Sequence, residues 1–555
     1  MAHRAPSETL ATHTVTNQPP DYAPCDLWRT DTALREAVRR EGAGWAEEAL
    51  ASLGAEAGSA GVMEWGEQAN RHPPEFRPFD RYGRRIDEVE FHPAYHSLME
   101  TAFRHRIQAI AWTAGRPGGH VAHAAMGYLM TQAEAGVLCP VAMTYAAVPA
   151  LKRQPELAAE WLPRLLSDRY DPRFIPAVEK TGATIGMAMT EKQGGSDVRA
   201  NTTVAHPLDG GGAGRPYRLT GHKWFCSAPM SDAFLTLART GGGLSCFLVP
   251  RWLPDGTRNA IRIQRLKDKL GNRSNASAEI DYDGAEAVMI GEEGRGVAGI
   301  IEMVHHTRLD CGYAAAGLMR AALSRALHHA GHRSAFGDLL IRQPLMRPVL
   351  ADLALESEAA VALVLRVARA FDAGEADPAA RAFARLAVAI MKYWVAKRCP
   401  ALVYEALECH GGNGYVEDGI MPRLYREAPL NAIWEGSGNV IALDVLRTLD
   451  REPAALAALE TELAATRGMD ARLDGWVAGI RSMLTDPAAL VPQARRLVER
   501  LALALQAGLL LRHAPPAVAD AFCASRLGGD WGHLFGTLPP GTDTDAILER
   551  AGAPG

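Results

Sequence analysis

Apolar positions change their spacing three times along the chain. From Thr32 to about Leu166 they recur at helical intervals broken by Pro and Gly, as in Ala33–Leu53 and Tyr95–Ala114. From near Ile185 the runs shorten and alternate. Tyr217-Arg-Leu-Thr220, Ala233–Ala238, Leu244–Val249 and Ala278–Tyr282 predict strands, separated by turns rich in Gly, Pro and Asp. Helical spacing returns near Gly296, over about 297–332, 342–372, 380–410 and 439–450. The short connections predict antiparallel neighbours in a bundle. Residues 451–555 are rich in Ala and Leu and also read as helical, with breaks at Pro487, Pro492, Pro515 and Pro516. The expected fold is mainly α with a central β domain. Its parts are an arm and helical domain at 1–185, the β domain at 186–292, the bundle at 293–450 and a helical extension at 451–555.

Length and charge narrow this little. The 555 residues suit three or four domains, and a net charge of −5 gives no global pull toward nucleic acid or acidic membranes. The eight cysteines are scattered with no CxxC pair, so neither a metal centre nor a redox pair is expected. The longest apolar run, Leu501–Leu511, is interrupted by Gln506 and is too short to span a bilayer. The first residues lack the apolar stretch of a secretory signal, so a cytoplasmic location is expected.

Chemistry concentrates in a few strings. Met187-Ala-Met-Thr-Glu-Lys-Gln-Gly-Gly-Ser-Asp197 is a turn with hydroxyls at Thr190 and Ser196 and two glycines that admit a close ligand. Taken alone it reads as a plain β turn. Gly221-His-Lys-Trp-Phe-Cys-Ser227 lies on a predicted strand, which by itself reads as an aromatic core strand. Arg333-Ser-Ala-Phe-Gly337 offers a planar cation suited to phosphate. Glu408-Cys-His-Gly-Gly-Asn-Gly-Tyr415 offers a glycine turn at a helix exit. Trp434-Glu-Gly-Ser-Gly-Asn439 sets a lone carboxylate between an aromatic ring and a flexible turn. Burial beside Trp434 is expected to raise the Glu435 pKa. Read alone, Glu435 is a helix-start acid.

Together these strings resemble the flavin-binding and catalytic segments of the acyl-CoA dehydrogenase family, and Lys269-Leu-Gly-Asn-Arg-Ser274 resembles a further signature of its β domain. The resemblance implies FAD, held by Met187, Met189, Thr190, Gly195, Ser196, Phe225, Cys226, Ser227, Trp434, Gly436, Ser437 and Asn439. It adds Arg333, Phe336, Gly411 and Gly412, with the Arg typically reaching the pyrophosphate of a neighbouring subunit. Glu408 stands where Gln is usual, and Pro344 where the family often has Gln. Glu435 is the implied base for the substrate α-proton, its own N–H helping to bind the thioester oxygen. One branch of the family moves the base to a Glu before an Arg on a bundle helix; here that place reads Thr307-Arg308. Arg308 and Glu435 are the expected substrate-binding residues.

Longer strings, including Thr12-His-Thr-Val-Thr-Asn-Gln-Pro19, Glu41-Gly-Ala-Gly-Trp45, Leu266–Ser277 and Leu424-Tyr-Arg-Glu427, resemble a branch tied to the response to DNA alkylation. That likeness implies a homotetramer, weak α,β-dehydrogenation of a short or branched acyl-CoA, and double-stranded DNA binding through a basic C-terminal domain. Residues 451–555 depart from it: ten Arg, no Lys and twelve Asp plus Glu give 10 − 12 = −2. The best local patch for DNA is Arg495, Arg496 and Arg500. The alternatives are a protective DNA-binding flavoprotein with vestigial activity, and a flavin monooxygenase.

Overall fold

The computed structural model describes residues 6–553 except Trp531, so the ends of the expected arm and extension lie outside the described residues. The N-terminal helices are α1 (Thr32–Arg40), α2 (Glu47–Ala57), α3 (Ala60–Arg71), α4 (Pro93–Arg104), α5 (Ile110–Thr113), α6 (Gly119–Ala133), α7 (Leu138–Ala146), α8 (Val148–Lys152) and α9 (Pro155–Leu165). The stretch expected as one helix from Ala33 is two. Gly42 turns the chain at φ +93°, and a 3-10 turn at Gly44–Ala46 restarts it. The segment from Tyr95 breaks likewise at Arg106, which adopts φ +58°.

A hairpin interrupts these helices: β1 (Glu75–Phe79) against β2 (Arg85–Glu90). Sequence patterning misses it because β1 has no buried face and carries Pro78. The hairpin is fastened to the β domain by Asp87, which accepts from Ile263 N–H, and by Arg85, which donates to the Ile263 carbonyl.

The β domain comprises β3 (Ile185–Ala188), β4 (Val204–Pro207), β5 (Pro216–Ser227), β6 (Ala233–Thr240), β7 (Gly243–Pro250), β8 (Ile261–Leu266) and β9 (Ser277–Ile290). The strand path runs β3-β6-β4-β5-β9-β7, and β6–β7 pairing closes it into a barrel. Tyr217, Phe234, Phe247, Ile280 and Tyr282 fill the interior.

The bundle is built on α10 (Gly296–His332), α11 (Met346–Gly374) and α12 (Pro378–Glu408), with α6 packed against α10. A two-residue-per-strand hairpin, β10 (Ser334–Ala335) with β11 (Asp338–Leu339), follows α10. Then come α13 (Met421–Glu427), α14 (Gly438–Arg451), α15 (Pro453–Ala464), α16 (Ala471–Leu484), α17 (Leu490–His513), α18 (Pro516–Phe522) and α19 (Thr544–Arg550). The C-terminal helices pack onto α11, α12 and α14. Two arginines fasten this docking, Arg526 to Asp352 and Arg550 to Glu36 and Glu358, while Arg512 pairs with Glu462 within the extension.

Barrel and bundle are clasped at the string Lys269–Ser274. Asn272, at φ +54°, donates from backbone and side chain to the buried Glu427 carboxylate. Ser274 donates to Glu134 at 2.8 Å. Gly271 lies so close that a Cβ there would sit 2.4 Å from the Arg426 carbonyl oxygen. No helix among the described residues is long and apolar enough to cross a membrane.

Candidate active site

Glu435 occupies the turn between the short helical turn at Leu430–Ala432 and α14, at φ +58°. That left-handed conformation costs about 1–3 kcal/mol for a residue with a Cβ, and the neighbours hold it. Arg308 Nε on α10 donates to the Glu435 carbonyl at 3.2 Å, and Lys392 Nζ on α12 donates to the next carbonyl, Gly436. Trp434 Nε1 donates to Asn431 Oδ1 at 2.9 Å. The loop is thus gripped on both sides of the carboxylate.

Around the carboxyl the chemistry suits a base. Burial raises its pKa, opposed by the Thr307 hydroxyl, Arg308 and Lys392. Thr307 belongs to the pair read from sequence as the alternative base position, and its hydroxyl donates to the Met303 and Val304 carbonyls of its own helix. Arg308, expected as a substrate-binding residue, is 5% exposed, and its guanidinium donates to the Glu435 carbonyl and, at 2.6 Å, to Asp444. Although burial opposes ionisation, Arg308 and Arg385 bring Asp444 down to about 2.

The predicted turn lies at the end of β3. Met187, Met189 and Trp434 pack against one apolar cluster with Met143, Tyr145 and Met303, so the strand end and the Glu435 turn share a wall. Glu191 anchors the turn. Fully buried, it pairs with Lys223 at 2.8 Å and accepts from Thr202 and Thr203 N–H, and these groups hold it far below the usual carboxylate range against burial. Sequence reading did not single out this pair. A Glu and a Lys 32 residues apart carry no local signal.

On β5, Phe225 is exposed and Ser227 half-buried, while Cys226 points the other way into the barrel core with its thiol pushed up to about 12 by burial. The Cys226 thiol thus faces the barrel interior, as strand alternation places it between the outward Phe225 and Ser227. Gly195 nests against Thr190, where a Cβ would sit 2.5 Å from the hydroxyl, and Ser196 is exposed. Gly436, at φ +103°, and the exposed Ser437 and Asn439 open α14.

Arg333, Phe336, Gly411 and Gly412 form a second group elsewhere. Arg333 lies 25 residues beyond Arg308 on the same helix axis, about 37 Å away at 1.5 Å per residue. It donates to the Asn17 carbonyl at 2.6 Å. His329 and His410 rings lie 4.7 Å apart, which puts the 411–414 turn at the same end. Gly411, at φ +59°, and Gly412 have nothing within 4 Å of where a Cβ would lie, and Phe336 is fully exposed. One chain presents two half-sites: an aromatic and hydroxyl-lined surface near the carboxylate, and a bare glycine turn with a cation. Their donor sets suit a flat ring and an anionic phosphate respectively.

The arginines read as a DNA patch are unevenly available. Arg500 stacks on Trp476 at 3.9 Å and donates to its carbonyl, and Arg495 donates to the Tyr393 hydroxyl at 3.1 Å. Arg496 is exposed, with no hydrogen bond or ion pair among the described residues. A separate cavity of about 450 Å³ lies between the β1–β2 hairpin, α4 and the barrel, lined by Phe91, Tyr95, Tyr170 and Phe174 among others. None of the predicted site residues lines it.

Three domain descriptions match this chain. They are the adaptive response protein AidB N-terminal domain over residues 17–172, the acyl-CoA dehydrogenase middle domain over 186–285 and the acyl-CoA dehydrogenase C-terminal domain over 294–449. The acyl-CoA dehydrogenase AidB of Escherichia coli (strain K12) is 48% identical over 92% of this chain and 94% of its own length. Acyl-CoA dehydrogenase family member 11 of Caenorhabditis elegans is 33% identical over 78% of this chain and 72% of its own. The crystal structure of Caenorhabditis elegans ACDH-11 in complex with C11-CoA superposes with a TM-score of 0.83 at 28% identity. It covers 94% of this chain and 93% of that one.

Proposed function

The chain belongs to the acyl-CoA dehydrogenase family, with an AidB-type N-terminal domain, and on that premise we propose that it removes the α-proton and β-hydride of an acyl-CoA with Glu435 as base. It is an FAD-dependent oxidoreductase by membership. The residues near Thr190, Phe225 and Ser227 fit the flavin ring. Arg333, Gly411 and Gly412 fit its pyrophosphate. When bound, the flavin supplies the hydride acceptor.

The observation that carries the reading is Glu435 itself: a carboxyl raised by burial, gripped through two successive carbonyls. Its loop holds the carboxylate where a substrate α-carbon is to be brought. In this reading the Glu435 N–H donates to the thioester oxygen, since a fixed donor stabilises developing negative charge. Trp434 narrows the acyl end, favouring a short or branched chain.

Titrating the flavin-loaded protein anaerobically with isovaleryl-CoA tests this. Bleaching of the flavin band is expected. Glu435→Gln should keep the flavin and slow bleaching by about a hundredfold or more. A variant that bleaches at the wild-type rate would remove Glu435 from the role.

The half-sites also support an oligomer in which a second copy brings Arg333 and the 411–412 turn to the first copy's ring site, as in a homotetramer. Duplex DNA binding, and with it a role in alkylation damage, draws less support from this chain. Residues 451–555 carry more acid than base, four of their arginines (Arg472, Arg512, Arg526 and Arg550) are ion-paired, and of the expected three Arg495 and Arg500 are hydrogen-bonded.

A further inference from the structure

The cavity of about 450 Å³ beside the barrel is lined by none of the residues proposed for catalysis or flavin binding. Its size is that of a small-molecule pocket. Part of its lining is aromatic. Phe91, between β2 and α4, stacks on Tyr95 with ring centres 4.2 Å apart. Tyr170 stacks on His96, and its hydroxyl meets His96 Nδ1 at 2.9 Å. Phe174, from the loop before β3, adds a further ring, and Met99 and Met230 complete an apolar surface. Such walls suit a flat aromatic body.

The rest of the lining is polar. Ser231, in the turn between β5 and β6, is 2% exposed, and its buried hydroxyl has no hydrogen-bond partner. A buried hydroxyl is normally satisfied, so this one calls for a partner. Lys180 is also buried, and its Nζ donates to Asp232 at 2.8 Å. An ammonium has three hydrogens, which leaves others for an acceptor in the cavity.

Charge decides the sign of the ligand. Each acid around the cavity is matched by a base: Asp232 by Lys180 at 2.8 Å, Asp171 by Arg173 at 2.6 Å, Glu88 by Arg258 at 2.8 Å, and Glu90 by Arg77. Asp87 on the same hairpin is matched by Arg85. Arg251 is the surplus. It is 3% exposed, donates to the Ser231 and Pro229 carbonyls, and forms no ion pair among the described residues. Its guanidinium carbon lies 5.7 Å from the centre of the Phe174 ring, so an unbalanced cation sits behind the cavity wall. A buried charge without a counter-charge favours an ion of opposite sign beside it.

We propose that this cavity binds a small aromatic carboxylate, its ring among Phe91, Tyr95, Tyr170 and Phe174 and its carboxylate against Ser231 and Lys180, with Arg251 balancing the charge. The site is separate from the dehydrogenase centre and does not rest on that reading. It also gives the β1–β2 hairpin a use. The Val89 N–H donates to Met230 Sδ at 3.3 Å, which ties the hairpin to the segment that carries Ser231.

Isothermal titration of the FAD-loaded, full-length protein with 2-naphthoate, and with its uncharged match 2-naphthamide, tests this. The acid should bind at a single site per chain, about tenfold or more tighter than the amide. Ser231→Ala should weaken the acid about tenfold, and Phe174→Ala about fivefold. Melting temperature and flavin content show that the variants are folded. Isovaleryl-CoA should not displace the acid, and the flavin band should not move as the acid binds. No binding at about 1 mM acid, equal affinity for acid and amide, or displacement by isovaleryl-CoA overturns the proposal. So does an affinity that neither folded variant changes. The acid–amide comparison and the displacement need only the wild type, so they decide the matter even where a variant fails to fold.

Discussion

Glu435 combines a left-handed backbone with a partly buried carboxyl, and each bears on the proposed role. A base must be ionised to take a proton. Because burial raises its pKa, bleaching should fail on the acid side at a pH above the ordinary carboxylate range. A rate profile of kcat/KM from pH 5 to 9 checks this; an acid limb near the free-glutamate value would mean that the carboxyl is hydrated. Glu191 is the opposite case, a buried carboxylate kept charged by Lys223. Lys223→Met should cost about 3–5 kcal/mol, because it leaves the carboxylate buried without its cation. Thermal unfolding with and without added FAD reads this, and the 190–197 turn should release flavin first. Glu435, Thr190 and Arg333 stand out as candidates in the sequence because each sits in a short string with Gly, whose spacing is local. Lys223, Lys392 and Asp444 do not. Their partners lie in other elements, and nothing in the order of residues marks a buried lysine as a clamp. Arg308 and Cys226 were legible as positions but not as orientations: partner geometry decided the one, strand alternation the other.

At the scale of elements, the β core and the long bundle helices follow from period and length. The strands of β5, β6, β7 and β9 and the helices α10 to α12 bury continuous faces, which is what patterning detects. The β1–β2 hairpin and the breaks at Gly42 and Arg106 escaped, because an exposed short hairpin and a single left-handed residue leave no periodic trace. The clasp at Gly271–Ser274 shows how a motif carries architecture. Gly271→Ala would put a methyl group 2.4 Å from the Arg426 carbonyl oxygen, and backbone has nowhere to retreat. A loss of about 1–3 kcal/mol is expected from such overpacking. The denaturant midpoint measures it, and an unchanged midpoint would mean that barrel and bundle are held elsewhere.

For the whole molecule, the charge count of −2 over residues 451–555 and the pairing of its arginines point the same way. The C-terminal extension counts ten arginines, but pairing with Asp352, Glu462, Glu358 and Asp520 turns many of them into internal fastenings. Duplex binding measured across salt concentrations should accordingly be weak, with a shallow slope, and Arg496→Ala should change it little. A steep slope abolished by that substitution would restore the DNA reading. The separation of about 37 Å along α10 has a different outcome. If each ring site borrows its phosphate grip from a second copy, two damaged genes can rescue each other. A chain carrying Glu435→Gln spoils one half of a site and a chain carrying Arg333→Ala spoils the other, so a mixed pair retains one site with neither lesion. Co-expressed and randomly assembled, two such dead variants should recover activity at about a quarter of the sites, whereas either alone recovers none.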